Sequence, residues 1–442
     1  MIEQPSAGTP APTPAPASTI VIVGAGQAGA VAAGALRERG HAGRIVLLGR
    51  EAHLPYERPP LSKDVLCAPD EPVLDVLAAG AYERHGIDWR PDVEVVAIDT
   101  SRRQVVLAGG CTVQYERCLL ATGGSARLLA GLDRGNPAVH YLRTLDDARR
   151  LRSALVPGAR VLVIGGGFLG LEMASSARRL NASVDVLEAA PQLLARFVPP
   201  ACSRWLAQRI VAAGVRLHLG EELKTVAAEG FARAEGIHLE TAAGKSFDAD
   251  VVVVAIGLTP DTGLGQAAGL AIDPVNGGIR VDARGRTSHP DIHAAGDCAS
   301  RHCPVAGGHV RYESWQNANE QARAAAAGIL GLEPPAPPYP WFWTDQFGCN
   351  LQMLGLPAAD LQYVLRGDPH AAEPKALWLG HRTGVPVHAI AVNAGGDLRQ
   401  LRVLFERGTA LDPAAFAEPS LPLRGLVKAA QAAHAAASPA PR

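Results

Sequence analysis

Gly24, Gly26 and Gly29 recur as Gly165, Gly167 and Gly170, and each trio follows a short apolar run, Ile20-Val-Ile-Val or Val161-Leu-Val-Ile. Glycines spaced in this way serve one kind of chemistry. The first permits a tight turn, the second lets backbone amides approach a pyrophosphate, and the third lets a following helix pack closely on its strand. The N-terminus of that helix then faces the negative charge. Ala25, Gln27 and Ala28 fill the remaining places of the first turn, and Phe168 and Leu169 lie in the second. One chain is therefore expected to carry two dinucleotide sites.

A carboxylate roughly twenty residues beyond such a turn accepts hydrogen bonds from both adenosine ribose hydroxyls and repels a 2'-phosphate. Glu188 closes the run Ser183-Val-Asp-Val-Leu after the second turn, and the Ala189-Ala-Pro that follows offers no arginine for a phosphate. NADH is favoured over NADPH there. The corresponding place after the first turn reads Gly49-Arg-Glu-Ala, in which Glu51 is either a ribose ligand or a solvated strand end.

Elements must hold these residues. The chain alternates short β-branched strands with alanine-rich helices, the pattern of parallel sheets covered by helices on both faces. A proline cluster from Pro334 to Pro340 separates this body from a strand-rich segment that opens with Trp341-Phe-Trp. Residues 1–18 and the Ala/Pro-rich stretch 429–442 lack apolar periodicity and are expected to be flexible tails. The 442 residues exceed what one core usually serves, so two or three domains are expected. Forty-two basic against 43 acidic side chains give a charge of -1, which argues against a broad surface for nucleic acid or anionic lipid. No apolar window is long enough for a membrane span, and a cytoplasmic location is expected. The seven cysteines are scattered without a CxxC pair, against a disulfide scaffold or a zinc site.

Five segments carry a resemblance: Pro55-Tyr-Glu-Arg-Pro-Pro-Leu-Ser-Lys63, Ala121-Thr-Gly-Gly124, Gly165-Gly-Gly-Phe-Leu-Gly-Leu-Glu172, Ala294-Ala-Gly-Asp-Cys298 and Glu313-Ser-Trp-Gln-Asn-Ala-Asn-Glu-Gln321. Together they resemble the FAD-dependent ferredoxin reductases, a group spanning putidaredoxin reductase and the reductase components of biphenyl-type dioxygenases. The match runs from about residue 19 to about residue 428. It implies an α/β, glutathione-reductase-like fold with two Rossmann-type dinucleotide-binding domains and an α+β C-terminal domain. The implied FAD-binding domain is discontinuous, 19–125 and 255–332, around an NAD-binding domain at 126–254; a C-terminal interface domain follows at 333–428.

The resemblance assigns FAD to the first glycine turn from Gly24 to Gly29, with Glu51, Arg58 and Lys63 beside it. Val95, Ala121, Thr122, Gly123, Arg143, Gly296, Asp297 and Trp315 match further FAD-contacting positions. NAD falls to Gly165, Gly167, Phe168, Leu169, Gly170, Glu172, Glu188, Arg196, Ile256 and Gly257. Lys63 and Glu172 are the implied catalytic residues, a charge pair beside the flavin and nicotinamide rings. Taken alone, they read as a loop cation and a solvated helix residue. Asp297, expected in a strand-to-helix turn, would bind the ribityl or pyrophosphate region of FAD or cap the helix. Trp315 would cover one end of the flavin, as in relatives serving Rieske-type systems, or simply belong to the core. The chain departs from the family at Arg50, where relatives carry an acid.

Disulfide reductases of the same fold need a cysteine pair just after the first nucleotide helix, where only Cys67 is found. Cys298 and Cys303 come too late in the chain and are expected to be structural. The implied activity is hydride transfer from NADH to FAD, then single electrons to a [2Fe-2S] ferredoxin, of Rieske type, in an aromatic-ring dioxygenase system. Alternatives are the reductase of a cytochrome P450 system, a rubredoxin reductase, or a non-catalytic FAD/NADH redox sensor. The ferredoxin is expected near Trp341, Trp343 and Asp345, although the two tryptophans could equally be core.

Overall fold

The computed structural model describes residues 18–68, 73–224 and 236–437. Ile20–Val23 is buried along its whole length, but helices cover only one face of its sheet, which corrects the expectation of helices on both. Ile20 and Ile22 pack under Gln27–Glu38 and Trp315–Ile329, whereas Val21 and Val23 pack against the antiparallel strands Val95–Asp99, Gln104–Leu107 and Thr112–Gln114. Ile20–Val23 is the middle strand of a five-stranded parallel sheet, between Arg117–Leu120 and Ile45–Leu48, with Ile292–Ala294 and Ile87–Arg90 at the edges. A second parallel sheet repeats the plan. Arg160–Ile164 lies between Ser183–Glu188 and Val251–Val254, and Arg216–Leu219 and Val139–His140 form its edges. In both sheets the chain leaves the central strand to one side and returns on the other, which opens a crevice at the strands' carboxyl ends. A short antiparallel ribbon, Gly124–Ala126 with Leu258–Pro260, carries the chain from the first sheet to the second and back.

The C-terminal sheet is antiparallel, in the order Trp341–Gln346, Cys349–Gly355, Val385–Val392, Lys375–Arg382, Gln362–Asp368. Its side chains obey the strand period of two. Leu351, Met353, Trp378 and Ile390 join the core of the second parallel sheet, whereas Leu354, Leu377, Leu379 and Ala389 pack under the helices Gly395–Arg407 and Leu423–Ala437.

The last helix corrects the expectation of a flexible tail from residue 429. Leu423 and Val427 are buried, and Leu426 and Ala430 pack against the same core, a helical spacing within a run of strong helix formers. Residues 438–442, and all of the expected N-terminal tail except Ser18, lie outside the described residues. Among the described residues, no helix is long and apolar enough to cross a membrane.

Candidate functional site

Both glycine turns open into one cavity of about 2460 Å³. They repeat the same stereochemistry. Gly24 and Gly165 share a φ of +106°, and a Cβ there would stand 2.2 Å from Ala121 O or 2.4 Å from Ala255 O. A Cβ on Gly29 or Gly170 would strike the carbonyl oxygen of Gly24 or Gly165 at 1.9 and 2.0 Å, so these two glycines let helix and strand touch without lining the cavity. Gly26 and Gly167 are different. A Cβ on Gly26 meets nothing nearer than 3.9 Å and one on Gly167 nothing within 4 Å, because their open side faces the cavity.

Gln27–Glu38 and Phe168–Arg179 start at Gly26 and Gly167 with no side-chain cap and no acidic residue in the first turn. Leu145–Ala154 shows the ordinary solution, a capping box between Thr144 and Asp147. The two uncapped N-termini leave amide donors for a ligand, and the buried Oε1 of Gln27 has no partner either. The donors and the open glycines fit two diphosphate groups.

Around the first turn the structure gathers Ala25, Gln27, Ala28, Glu51, Arg58, Lys63, Val95, Ala121, Thr122, Gly123, Arg143, Gly296, Asp297 and Trp315 on the cavity wall. Glu51 is half-buried and paired: Tyr56 OH donates to its Oε2 at 2.5 Å and Arg58 Nη2 to its Oε1 at 2.6 Å. Arg143 Nη2 donates to Asp297 Oδ2 at 3.1 Å. The amide of Gly296 donates to Gln321 Oε1 at 3.0 Å, so that donor is already engaged. Asp297 does not cap a helix. It lies between the strands Ile292–Ala294 and Ala299–Cys303, which replaces the expected strand-to-helix turn by a strand-to-strand one. The next helix starts only at Trp315, capped by Ser314.

Around the second turn lie Phe168, Leu169, Glu172, Glu188, Arg196, Ile256 and Gly257. Glu188 Oε2 accepts from Gly166 N and Oε1 from Ala190 N, both at 2.7 Å, which fixes the carboxylate at the end of its strand. Phe168 stands between Phe197 and Phe342, with ring centroids 4.9 and 4.6 Å away. Lys63 Nζ is 2.9 Å from Glu172 Oε1, although Lys63 follows the first nucleotide strand and Glu172 sits on the second nucleotide helix. Glu172 is only 7% exposed, so this pair is largely withdrawn from water.

Sequence reasoning missed the hydroxyls that surround the pair. Ser62 Oγ donates to Glu172 Oε2 at 2.5 Å and Thr344 Oγ1 to Oε1 at 2.6 Å. Ser62 could have been found as the neighbour of Lys63; Thr344 comes from the C-terminal sheet and needs the register. Trp315 lines the cavity, donates to Glu57 Oε1 at 3.3 Å, and meets Trp343 edge-on at 5.9 Å. Trp341 stacks on Trp343 at 5.1 Å, and both remain partly exposed. All seven cysteines are free thiols. Burial raises the pKa of Cys298, whose Sγ lies 3.6 Å from Leu120 O.

Comparison with known proteins agrees with this geometry. Residues 18–322 match the pyridine nucleotide-disulphide oxidoreductases, and residues 341–427 match the reductase C-terminal family. A Photorhabdus laumondii protein, the 3-phenylpropionate/cinnamic acid dioxygenase ferredoxin–NAD(+) reductase component, is 40% identical over 86% of this chain and 94% of its own length. The anthranilate 1,2-dioxygenase system ferredoxin–NAD(+) reductase component of Burkholderia cepacia is 42% identical over 91% and 97%. Putidaredoxin reductase, in its covalent complex with putidaredoxin, superposes with a TM-score of 0.86 at 33% identity, covering 94% of this chain and 99% of that one. The ferredoxin reductase for the CYP199A2 system of Rhodopseudomonas palustris gives 0.85 at 36% identity, over 93% and 100%. Two matched glycine cradles, one shared cavity and these relatives place the chain in the pyridine nucleotide-disulphide oxidoreductase family.

Proposed function

We propose that this chain is an NADH-dependent ferredoxin reductase of an aromatic-ring dioxygenase system. FAD occupies the first cradle and NADH the second, and the acceptor is a [2Fe-2S] ferredoxin of Rieske type. The observation that carries the reading is the single cavity into which both uncapped helix N-termini open, with Lys63 and Glu172 meeting between them. The first turn and Arg58, Arg143 and Asp297 hold the prosthetic group; the second turn and Glu188 hold the exchanging nucleotide. FAD, when bound, supplies the conversion of a hydride into single electrons.

The chain's own residues do the rest. The backbone amides at Gln27 and Phe168 neutralise diphosphate charge, and Phe168, Phe197 and Phe342 exclude water from the side where the nicotinamide must lie. Lys63 presents a cation where negative charge develops, and Glu172 compensates that cation before it does. The segments 19–125 and 255–332 form the FAD-binding domain and 126–254 the NAD-binding domain. The interface domain that begins at 333 continues through the helix ending at Ala437. Its face bearing Trp341 and Trp343 receives the ferredoxin, and the scattered free thiols suit the cytoplasm.

A second reading, service to a cytochrome P450, is favoured by the likeness to the reductase for the CYP199A2 system. Steady-state NADH oxidation with a panel of purified ferredoxins separates the two. Preferential reduction of a Rieske-type ferredoxin is expected; preference for a P450-type [2Fe-2S] ferredoxin reverses the choice, and no preferred acceptor with a persistent NADH complex indicates a sensor.

A further inference from the structure

The Glu172 carboxylate is held by donors from distant parts of the chain, and one donor belongs to the C-terminal sheet. Ser62 and Lys63 reach it from the loop that follows the first nucleotide strands, while Thr344 is 172 residues away in sequence. Matched periodicities bring Thr344 there. Phe168 and Glu172, four residues apart on a helix, are separated by about 6 Å of rise, and Phe342 and Thr344, two apart on a strand, by about 6.6 Å. The strand lays one pair on the other: the phenyl rings meet at 4.6 Å and the hydroxyl reaches the carboxylate at 2.6 Å.

Thr344 is fully buried. Gln346 Nε2 donates to its Oγ1 at 3.3 Å, which leaves the hydroxyl proton to be given to Glu172. The alternate residues of the same strand, Trp341 and Trp343, face the other way, where Trp343 meets Trp315 on the cavity wall and Trp341 stacks on Trp343. A buried carboxylate with its donors in place cannot turn, and Lys63, which also donates to Pro59 O at 3.2 Å, is held with it.

We propose that Thr344 is a positioning residue whose hydroxyl fixes the Glu172 carboxylate against Lys63, so that the C-terminal sheet completes the charge pair between the two cradles. This deepens the hydride-transfer reading and rests on it. The test compares Thr344→Val, Thr344→Ser and Thr409→Val as purified holoproteins. Thr409 is a buried C-terminal threonine whose hydroxyl has no partner, so its valine variant is the control. Lys63 is one of five lysines, and its acetylation by acetic anhydride can be followed by peptide mapping.

In Thr344→Val, Lys63 is expected to label several-fold faster while the other lysines keep their rates. Anaerobic flavin bleaching at saturating NADH slows about tenfold, the size expected when a charged acceptor loses one donor, and half-saturation moves less than about twofold. Thr344→Ser restores both properties, and Thr409→Val changes neither. Unaltered Lys63 labelling in Thr344→Val overturns the proposal, and so does a serine variant as impaired as the valine one, since packing would then be the whole role. If Thr344→Val does not fold, Thr344→Ala takes its place with the same expected and contrary outcomes. Failure of NADH to bleach even the unsubstituted protein would remove the hydride-transfer reading instead, and Lys63 labelling would then decide the positioning claim alone.

Discussion

At the scale of single residues, Glu188 shows how one carboxylate sets a preference. Its two oxygens are fixed by Gly166 N and Ala190 N at the end of a strand, so it is presented in one orientation to whatever enters the second cradle. Glu188→Arg replaces ribose acceptors by a cation suited to a 2'-phosphate. The KM for NADH is expected to rise about tenfold or more while that for NADPH falls, as the loss of one charged hydrogen-bonding site implies. Steady-state kinetics with both nucleotides checks this, and an unchanged ratio would remove Glu188 from the ribose contact. Glu51 is the contrasting case. Its oxygens are held by side chains, Tyr56 OH and Arg58 Nη2, rather than by backbone amides, and each oxygen keeps a second acceptor site.

Among the elements, each cradle assigns separate tasks to its glycines, and substitutions should separate them. Gly29→Ala would drive a Cβ into Gly24 O at 1.9 Å, with no flexible atom to give way. Overpacking of this kind costs about 3 kcal/mol, read as a lowered urea midpoint. Gly26 has an extended backbone, φ -88° and ψ -162°, and open space beside it, so Gly26→Val is expected to be purified without yellow colour and to unfold at the midpoint of the unsubstituted protein stripped of its flavin. These motifs were legible in the sequence because glycine spacing and β-branched runs are local signals. What was not legible depended on contacts between distant segments. Asp297 precedes a strand because Ala299–Cys303 pairs with Ile279–Val281 and Gly308–Val310, partners that no local pattern marks. The part of the helix Leu423–Ala437 beyond residue 428 looked like a low-complexity tail because alanine is apolar but small, and only packing under the C-terminal sheet shows that it continues the helix.

The whole molecule joins its units through shared cores, since the C-terminal sheet has one face in the core of the second parallel sheet. Three of the four buried imidazoles among the described residues are His140, His293 and His388. Desolvation is the main cause that pushes each pKa from 6.5 down to about 4. Between those values the unfolded chain binds more protons than the folded one, so stability is fully present above about pH 6.5 and falls as the pH drops toward about 4. Thermal unfolding is expected to show a midpoint several degrees lower at about pH 5 than at about pH 7.5, and a flat profile would contradict the burial of neutral imidazoles.

The central claim is that one polypeptide brings a prosthetic flavin and NADH together in a single cavity. Anaerobic rapid mixing of the purified yellow protein with NADH tests it most directly. The flavin band is expected to bleach completely, at least about tenfold faster with NADH than with NADPH, and its colour to recover when an oxidised [2Fe-2S] ferredoxin is added. A protein that carries no flavin after reconstitution, or whose flavin stays oxidised in excess NADH, would contradict it.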